Sequence, residues 1–152
     1  MKIQSLVKVV MCSVALCIAL ATGVHAAESA VPGWDPNALR DQSTLEIMTT
    51  SPEEGEHWGK LWLVVIDGKL YVRLGDPSYA RIQKNTTAPY LKVKVAGSEF
   101  DKVRLDETPD MKDKVAAAMA DKYFMDILIR HVSHPMTARL TAEPAPSAPS
   151  SH

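Results

Sequence analysis

The chain has 152 residues, enough for one compact domain and little more. Hydrophobic residues make up 46% and charged residues 23%, which excludes collagen, a coiled coil and wholesale disorder. Seventeen Lys and Arg face 18 Asp and Glu, without the basic excess of a dedicated nucleic-acid binder.

Residues 1–26 have the pattern of a secretory signal peptide. Lys2 and Lys8 precede an apolar run, Val9 to Leu20, broken only by Ser13. Val24-His25-Ala26 approximates the small-residue site read by signal peptidase. The apolar run is shorter than the roughly 20 residues that span a bilayer. The alternative is an uncleaved N-terminal anchor. The expectation is a periplasmic or secreted protein with no membrane contact after cleavage. Cys12 and Cys17 then leave with the signal, so the mature chain has no disulfide and no thiol nucleophile. The 126 residues that remain carry 15 basic and 18 acidic side chains.

Residues 27–43 form a polar lead-in punctuated by Pro32-Gly33 and Asp35-Pro36. The folded part is expected to begin near Asp41. Leu45 to Thr50 is a first strand, and Glu53 to His57 an acidic loop. Trp58 to Ile66 is the strongest strand, apolar on both faces from Leu61 onward. Asp67-Gly68 then marks a type I′ hairpin into Lys69 to Leu74, because both turn residues must accept positive φ.

Pro77 to Lys84 is a short helix. Tyr90 to Ala96 is a strand with Leu91, Val93 and Val95 inward. Gly97-Ser98 turns the chain into Glu99 to Asp106. A two-residue turn sets Lys94 opposite Asp101. A three-residue turn aligns Val103 with Val93 and Leu105 with Leu91, and gathers Lys92, Lys94, Lys102 and Arg104 on one solvated face.

One long helix follows. Thr108 can cap it, Pro109 suits its first position and Asp110 its dipole. Met111, Val115, Met119, Tyr123 and Ile127 make its apolar stripe. Asp110–Lys114 and Asp126–Arg130 are i,i+4 pairs. His131 and His134 lie at or past its end, before Pro135. Met136 to Thr141 is the last strand. The domain therefore covers 44–141, and 142–152 is a disordered Pro/Ala/Ser tail.

This order of elements, with Leu61 to Gly75, resembles the split β-barrel superfamily of flavin- and deazaflavin-binding proteins. Pyridoxamine-phosphate oxidases and deazaflavin-dependent nitroreductases belong to it. The chain is most similar to a small-protein branch related to the latter. The resemblance is carried by the Val64 to Arg73 hairpin, the Tyr79 to Arg81 region, Ala118 to Tyr123, and Thr137-Ala138-Arg139-Leu140. It implies a mainly β (α+β) fold, a single split β-barrel of about six strands with one long helix. It also implies an FMN or deazaflavin cofactor, a small-molecule ligand and a homodimer. Arg73, Arg81 and Lys84 would take the cofactor phosphate, and Tyr79 would stack on its ring.

Leu74 stands where the branch has a small hydroxyl residue, and Ser78 where it has an aromatic. These departures support a second expectation: a cofactor-free binding or interaction module that keeps the barrel. Trp58 and Trp62 share a strand face and are expected in the core. His131 and His134 with Met125 and Met136 do not amount to a metal site, because His near a helix C-terminus is favoured by the dipole alone. No catalytic triad, P-loop or dinucleotide fingerprint is present.

Overall fold

The computed structural model describes residues 31–123 and 133–144. Residues 1–30, where the signal peptide is expected, residues 145–152, and Met125, Asp126, Ile127, Arg130 and His131 lie outside them. The elements are β1 (Thr44–Ser51), β2 (Gly55–Ile66), β3 (Lys69–Leu74), α1 (Asp76–Gln83), β4 (Tyr90–Val95), β5 (Ser98–Glu107), α2 (Lys112–Lys122) and β6 (Met136–Ala142). The strands close into an antiparallel barrel in the order β1-β2-β3-β6-β5-β4. Closure removes both sheet edges. None of the described helices is long and apolar enough to cross a membrane.

Alternation along β2 explains its double apolar face. Leu61 and Leu63 point inward and are buried with Leu45, Leu70, Val72 and Leu140. Val64 points outward and is buried with Tyr71 under Val115 and Met119 of α2. One strand thus serves two cores. Trp58 and Trp62 fall on the outer face, not in the barrel interior as expected, because they share the parity of Val64. Trp62 stacks on Tyr123, just past the end of α2, at 4.8 Å. Trp58 lies under the Lys94 ammonium, 3.8 Å from its ring centre.

The β2–β3 turn has the expected form, with Asp67 at φ 51° and Gly68 at φ 70°. The β1–β2 connection is tighter than expected. Its turn is only Pro52 to Glu54, and β2 already begins at Gly55, so the expected acidic loop is mostly strand. The Glu54 N–H donates to Ser51 Oγ at 3.0 Å.

The β4–β5 turn uses Ala96 (φ 50°) and Gly97 (φ 78°), one residue earlier than expected. Neither anticipated register holds. Val93 pairs with Phe100, and Leu91 with Val103, across a bulge. Phe100 and Val103 differ in parity yet both are buried. One extra residue in β5 is what turns both inward. Lys92 and Lys94 do share the outer face, but carboxylates accompany them: Lys92–Asp101 at 3.2 Å and Lys94–Glu99 at 3.4 Å.

The lead-in is part of the fold. Leu39 is buried, and Val31 and Trp34 pack on the same cluster. Trp34 meets Phe100 edge-on at 5.0 Å. These apolar side chains cover a barrel end, so order begins before Asp41.

A single 3-10 turn, Pro109–Met111, precedes α2. Thr108 makes no side-chain cap. Its N–H donates to the Thr137 carbonyl at 2.8 Å and so ties the helix start to β6. Lys114 pairs with Asp67 of the hairpin at 2.8 Å rather than with Asp110. The helix closes at Lys122, and Tyr123 is extended. β6 runs one residue past the expected boundary, to Ala142.

Two substitutions test this packing by urea denaturation. Leu63→Ala removes a fully buried side chain and is expected to cost about 2–5 kcal/mol. Ala96→Gly relieves a left-handed alanine and is expected to stabilise by roughly 0.5–1 kcal/mol.

Candidate functional site

β3 sends alternate side chains outward. Tyr71 goes under α2, and Arg73 lies further along the same face. The Arg73 Nη2 lies 3.2 Å from His134 Nδ1. A guanidinium only donates, so Nδ1 accepts. His134 is brought there by β6, which starts two residues later and pairs Thr137 with Arg73.

The neighbouring wall is Trp62, whose ring is fixed by what stands behind it. The Tyr123 hydroxyl lies 2.6 Å from the carbonyl oxygens of both Ser43 and Leu63. It accepts from the Leu63 N–H at 3.3 Å. Burial pushes the Tyr123 pKa up. Lys122 donates to the carbonyls of Arg40 at 2.8 Å, Gln42 at 2.5 Å and Leu63 at 3.1 Å. Burial pushes its pKa down. These bonds lock the end of α2 onto the first two strands, and Trp62 stacks on the locked ring.

Lys60, Trp62, Arg73, Ser78 and His134 line one open groove of about 250 Å³. It holds an aromatic ring, two cationic side chains, an imidazole and a hydroxyl. That set suits a planar ligand with anionic substituents.

The other residues expected at the site lie elsewhere. Arg81 and Lys84 line a separate depression of about 210 Å³ with Thr49, Ser51 and Glu54. Both are held by the β1–β2 turn. Arg81 Nε lies 3.0 Å from Glu54 Oε2, and Lys84 Nζ lies 2.9 Å from Glu53 Oε2. The hydrogen bond to Glu53 raises the Lys84 pKa. Tyr79 packs against the barrel core and lines neither depression. The structure therefore brings Arg81 and Lys84 together and sets Arg73 apart, on the groove at the start of α1. Neither depression is lined by all three. Arg81 and Lys84 each have a carboxylate partner in the β1–β2 turn.

Sequence reasoning did not find Lys60, His134 or Trp62 as companions of Arg73. Counting outward from the two-residue turn sets Trp62 opposite Arg73, so that pairing had a signal. His134 had none, being 61 residues away. Among the described residues no three His, Cys, Asp or Glu side chains gather as a metal site requires.

No family model matches the chain, and no curated protein matches it. Solved structures do. The heme storage protein HutZ of Vibrio cholerae superposes with TM-score 0.51 at 13% identity, over 72% of this chain and 88% of that one. The chain has the split-barrel fold. An F420-H2-dependent reductase gives TM-score 0.49 at 14% identity, over 66% of this chain and 95% of its own. A NimC/NimA family protein of Clostridium acetobutylicum gives 0.43 at 13% identity, over 68% and 76%.

The scaffold behind Trp62 is testable. Tyr123→Phe keeps the stacked ring but strands the buried Leu63 N–H and removes the hydroxyl shared between the Ser43 and Leu63 carbonyls, of which Leu63 keeps Lys122. It is expected to cost about 1–3 kcal/mol in urea denaturation.

Proposed function

We propose that this protein is an exported, flavin-type cofactor-binding protein, with FMN or a deazaflavin held in the groove of Arg73. The observation that carries the reading is the meeting of Trp62, Lys60, Arg73 and His134 in one depression. Trp62 would hold the ring system, and Arg73 and Lys60 the anionic substituents. A flavin, when bound, supplies redox chemistry, which makes an oxidoreductase role accessible. The chain's own part is to orient the ring and limit water around it. The fold supports the reading, since HutZ, a heme storage protein, shares it.

Two further features belong to the proposal. The periplasmic or secreted location rests on residues 1–26. The homodimer is supported by groove size: about 250 Å³ is slightly below the roughly 300–1,000 Å³ of ordinary ligand pockets. A second copy over the open side would complete it.

The second reading, a cofactor-free interaction module, is favoured by one observation. Glu54 and Glu53 occupy the cations of α1 that were expected to take a phosphate.

Titration of the mature protein with FMN, riboflavin, a deazaflavin and hemin separates the readings. Saturable binding with FMN ahead of riboflavin is expected. Arg73→Ala should weaken FMN by about 1.5–3 kcal/mol, the worth of a charge-assisted hydrogen bond. Lys84→Ala should leave it nearly unchanged. Equal loss in both variants would restore the three-cation clamp. Hemin binding alone would move the cofactor class from flavin to heme, and no binding by any probe would favour the interaction module.

A further inference from the structure

The opposite end of β3 carries a second, larger cavity, about 380 Å³. It lies between the N-terminal segment, the β2–β3 turn and strands β5 and β6, and is lined from both faces of β6. One side is apolar, built from Val31, Trp34, Leu140 and Ala142. The other is cationic, with Lys69, Arg104 and Arg139. No carboxylate lines it.

The acids of this region stand behind the arginines. Asp106 lies 3.1 Å from Arg139 Nη2 and 3.2 Å from Arg104 Nε. Glu143 lies 3.6 Å from Arg104 Nε and 3.3 Å from Lys102 Nζ. It also accepts from the Tyr90 hydroxyl at 3.0 Å, the main reason its pKa falls below the usual carboxylate range. Two carboxylates thus orient three cations, Lys102, Arg104 and Arg139, and Lys69 adds a fourth positive charge beside them. Lys69 makes no salt bridge among the described residues; the nearby Asp67 carboxylate is taken by Lys114. Arg139 makes a single side-chain hydrogen bond among them, to Asp106. Its Nε is buried without a partner. The cations of β4 and α1 differ, since each of Arg81, Lys84, Lys92 and Lys94 has its own carboxylate.

The aromatic side is also preset. Trp34 stands edge-on to Phe100 and is held there by the barrel end it covers. A pocket with one apolar side and one cationic side selects for an amphipathic anion. We propose that this cavity is a binding site for a small organic anion: an aromatic or aliphatic body bearing one carboxylate, phosphate or sulfonate. The anionic group sits toward Arg139 and Lys69, and the body lies along Trp34 and Leu140. The site is separate from the groove of Arg73 and independent of the flavin reading.

The test uses 8-anilinonaphthalene-1-sulfonate as probe, titrated into the mature protein and followed by its fluorescence. One saturable site is expected. Arg139→Gln should weaken it by about tenfold or more, as loss of a charged hydrogen bond implies. Arg139→Gln also disturbs Asp106, so Lys69→Gln serves as the second variant. Lys69 is exposed and makes no salt bridge among the described residues, so the variant should fold as the parent does, and a loss of threefold or more is expected. Arg73→Gln should leave probe binding unchanged, which keeps a failure of the flavin reading distinct from a failure here. Phenyl phosphate should displace the probe at far lower concentration than inorganic phosphate. Unchanged affinity in folded Lys69→Gln and Arg139→Gln proteins would overturn the proposal. So would equal displacement by phenyl and inorganic phosphate, because the apolar side would then contribute nothing.

Discussion

The barrel depends on one late event in the chain, the seating of β6 between β3 and β5. Without it the other strands form an open sheet with two bare edges, a template for intermolecular pairing. β6 is built for the place. Ala138 and Leu140 are buried inward, while Thr137 and Arg139 face out. Its partners come from sequence-distant hairpins, so closure carries a loop-entropy cost that many local pairings do not. The ties at its ends offset part of that cost: Thr108 to Thr137 at one end, Glu143 to Tyr90 and Lys102 at the other.

β6 also explains where both depressions lie. Arg73 is opposite Thr137, and His134 precedes the strand, so the groove sits at its start. Arg139, Thr141 and Ala142 bring the second cavity to its end. Between them the outer face is taken by α2 packing on Tyr71 and Val64. The helix thus divides the outer surface of β3 into two unfilled ends. The Leu63 carbonyl is the peg for that arrangement, since both Lys122 and the Tyr123 hydroxyl reach it.

Local signals in the sequence were sufficient for much of this. Asp67-Gly68 dictates its turn because few residue pairs tolerate two positive φ values. The unbroken apolar run of β2 reflects its two cores, although alternation alone did not say which face was the interior; hence the misplacement of Trp58 and Trp62. The β4–β5 register was not legible, because the bulge between inward Phe100 and inward Val103 breaks the period-two rule that any register argument uses. The packing of Trp34 and Leu39 was hidden in the same way. A polar, proline-punctuated stretch looks like a tail until the barrel end it covers is known.

The candidate site was legible only in part, for an electrostatic reason. Sequence shows where cations are, but not which carboxylates the fold brings to them. Arg73, Arg81 and Lys84 look alike on a line, separated by a turn and a short helix. In the fold the tight β1–β2 turn carries Glu53 and Glu54 to α1, and two of the three acquire exposed carboxylate partners. Such pairs add little stability, on the order of 0–1 kcal/mol, but they reduce the charge an incoming anion meets. The opposite holds for Lys69, Arg104 and Arg139, which no motif joins. They come from three strands and outnumber the carboxylates beside them. Charge that the fold leaves uncompensated beside an apolar wall is a stronger pointer to a ligand than the number of basic residues in a motif. By that measure the Lys69 end of β3 is the stronger pointer on this barrel.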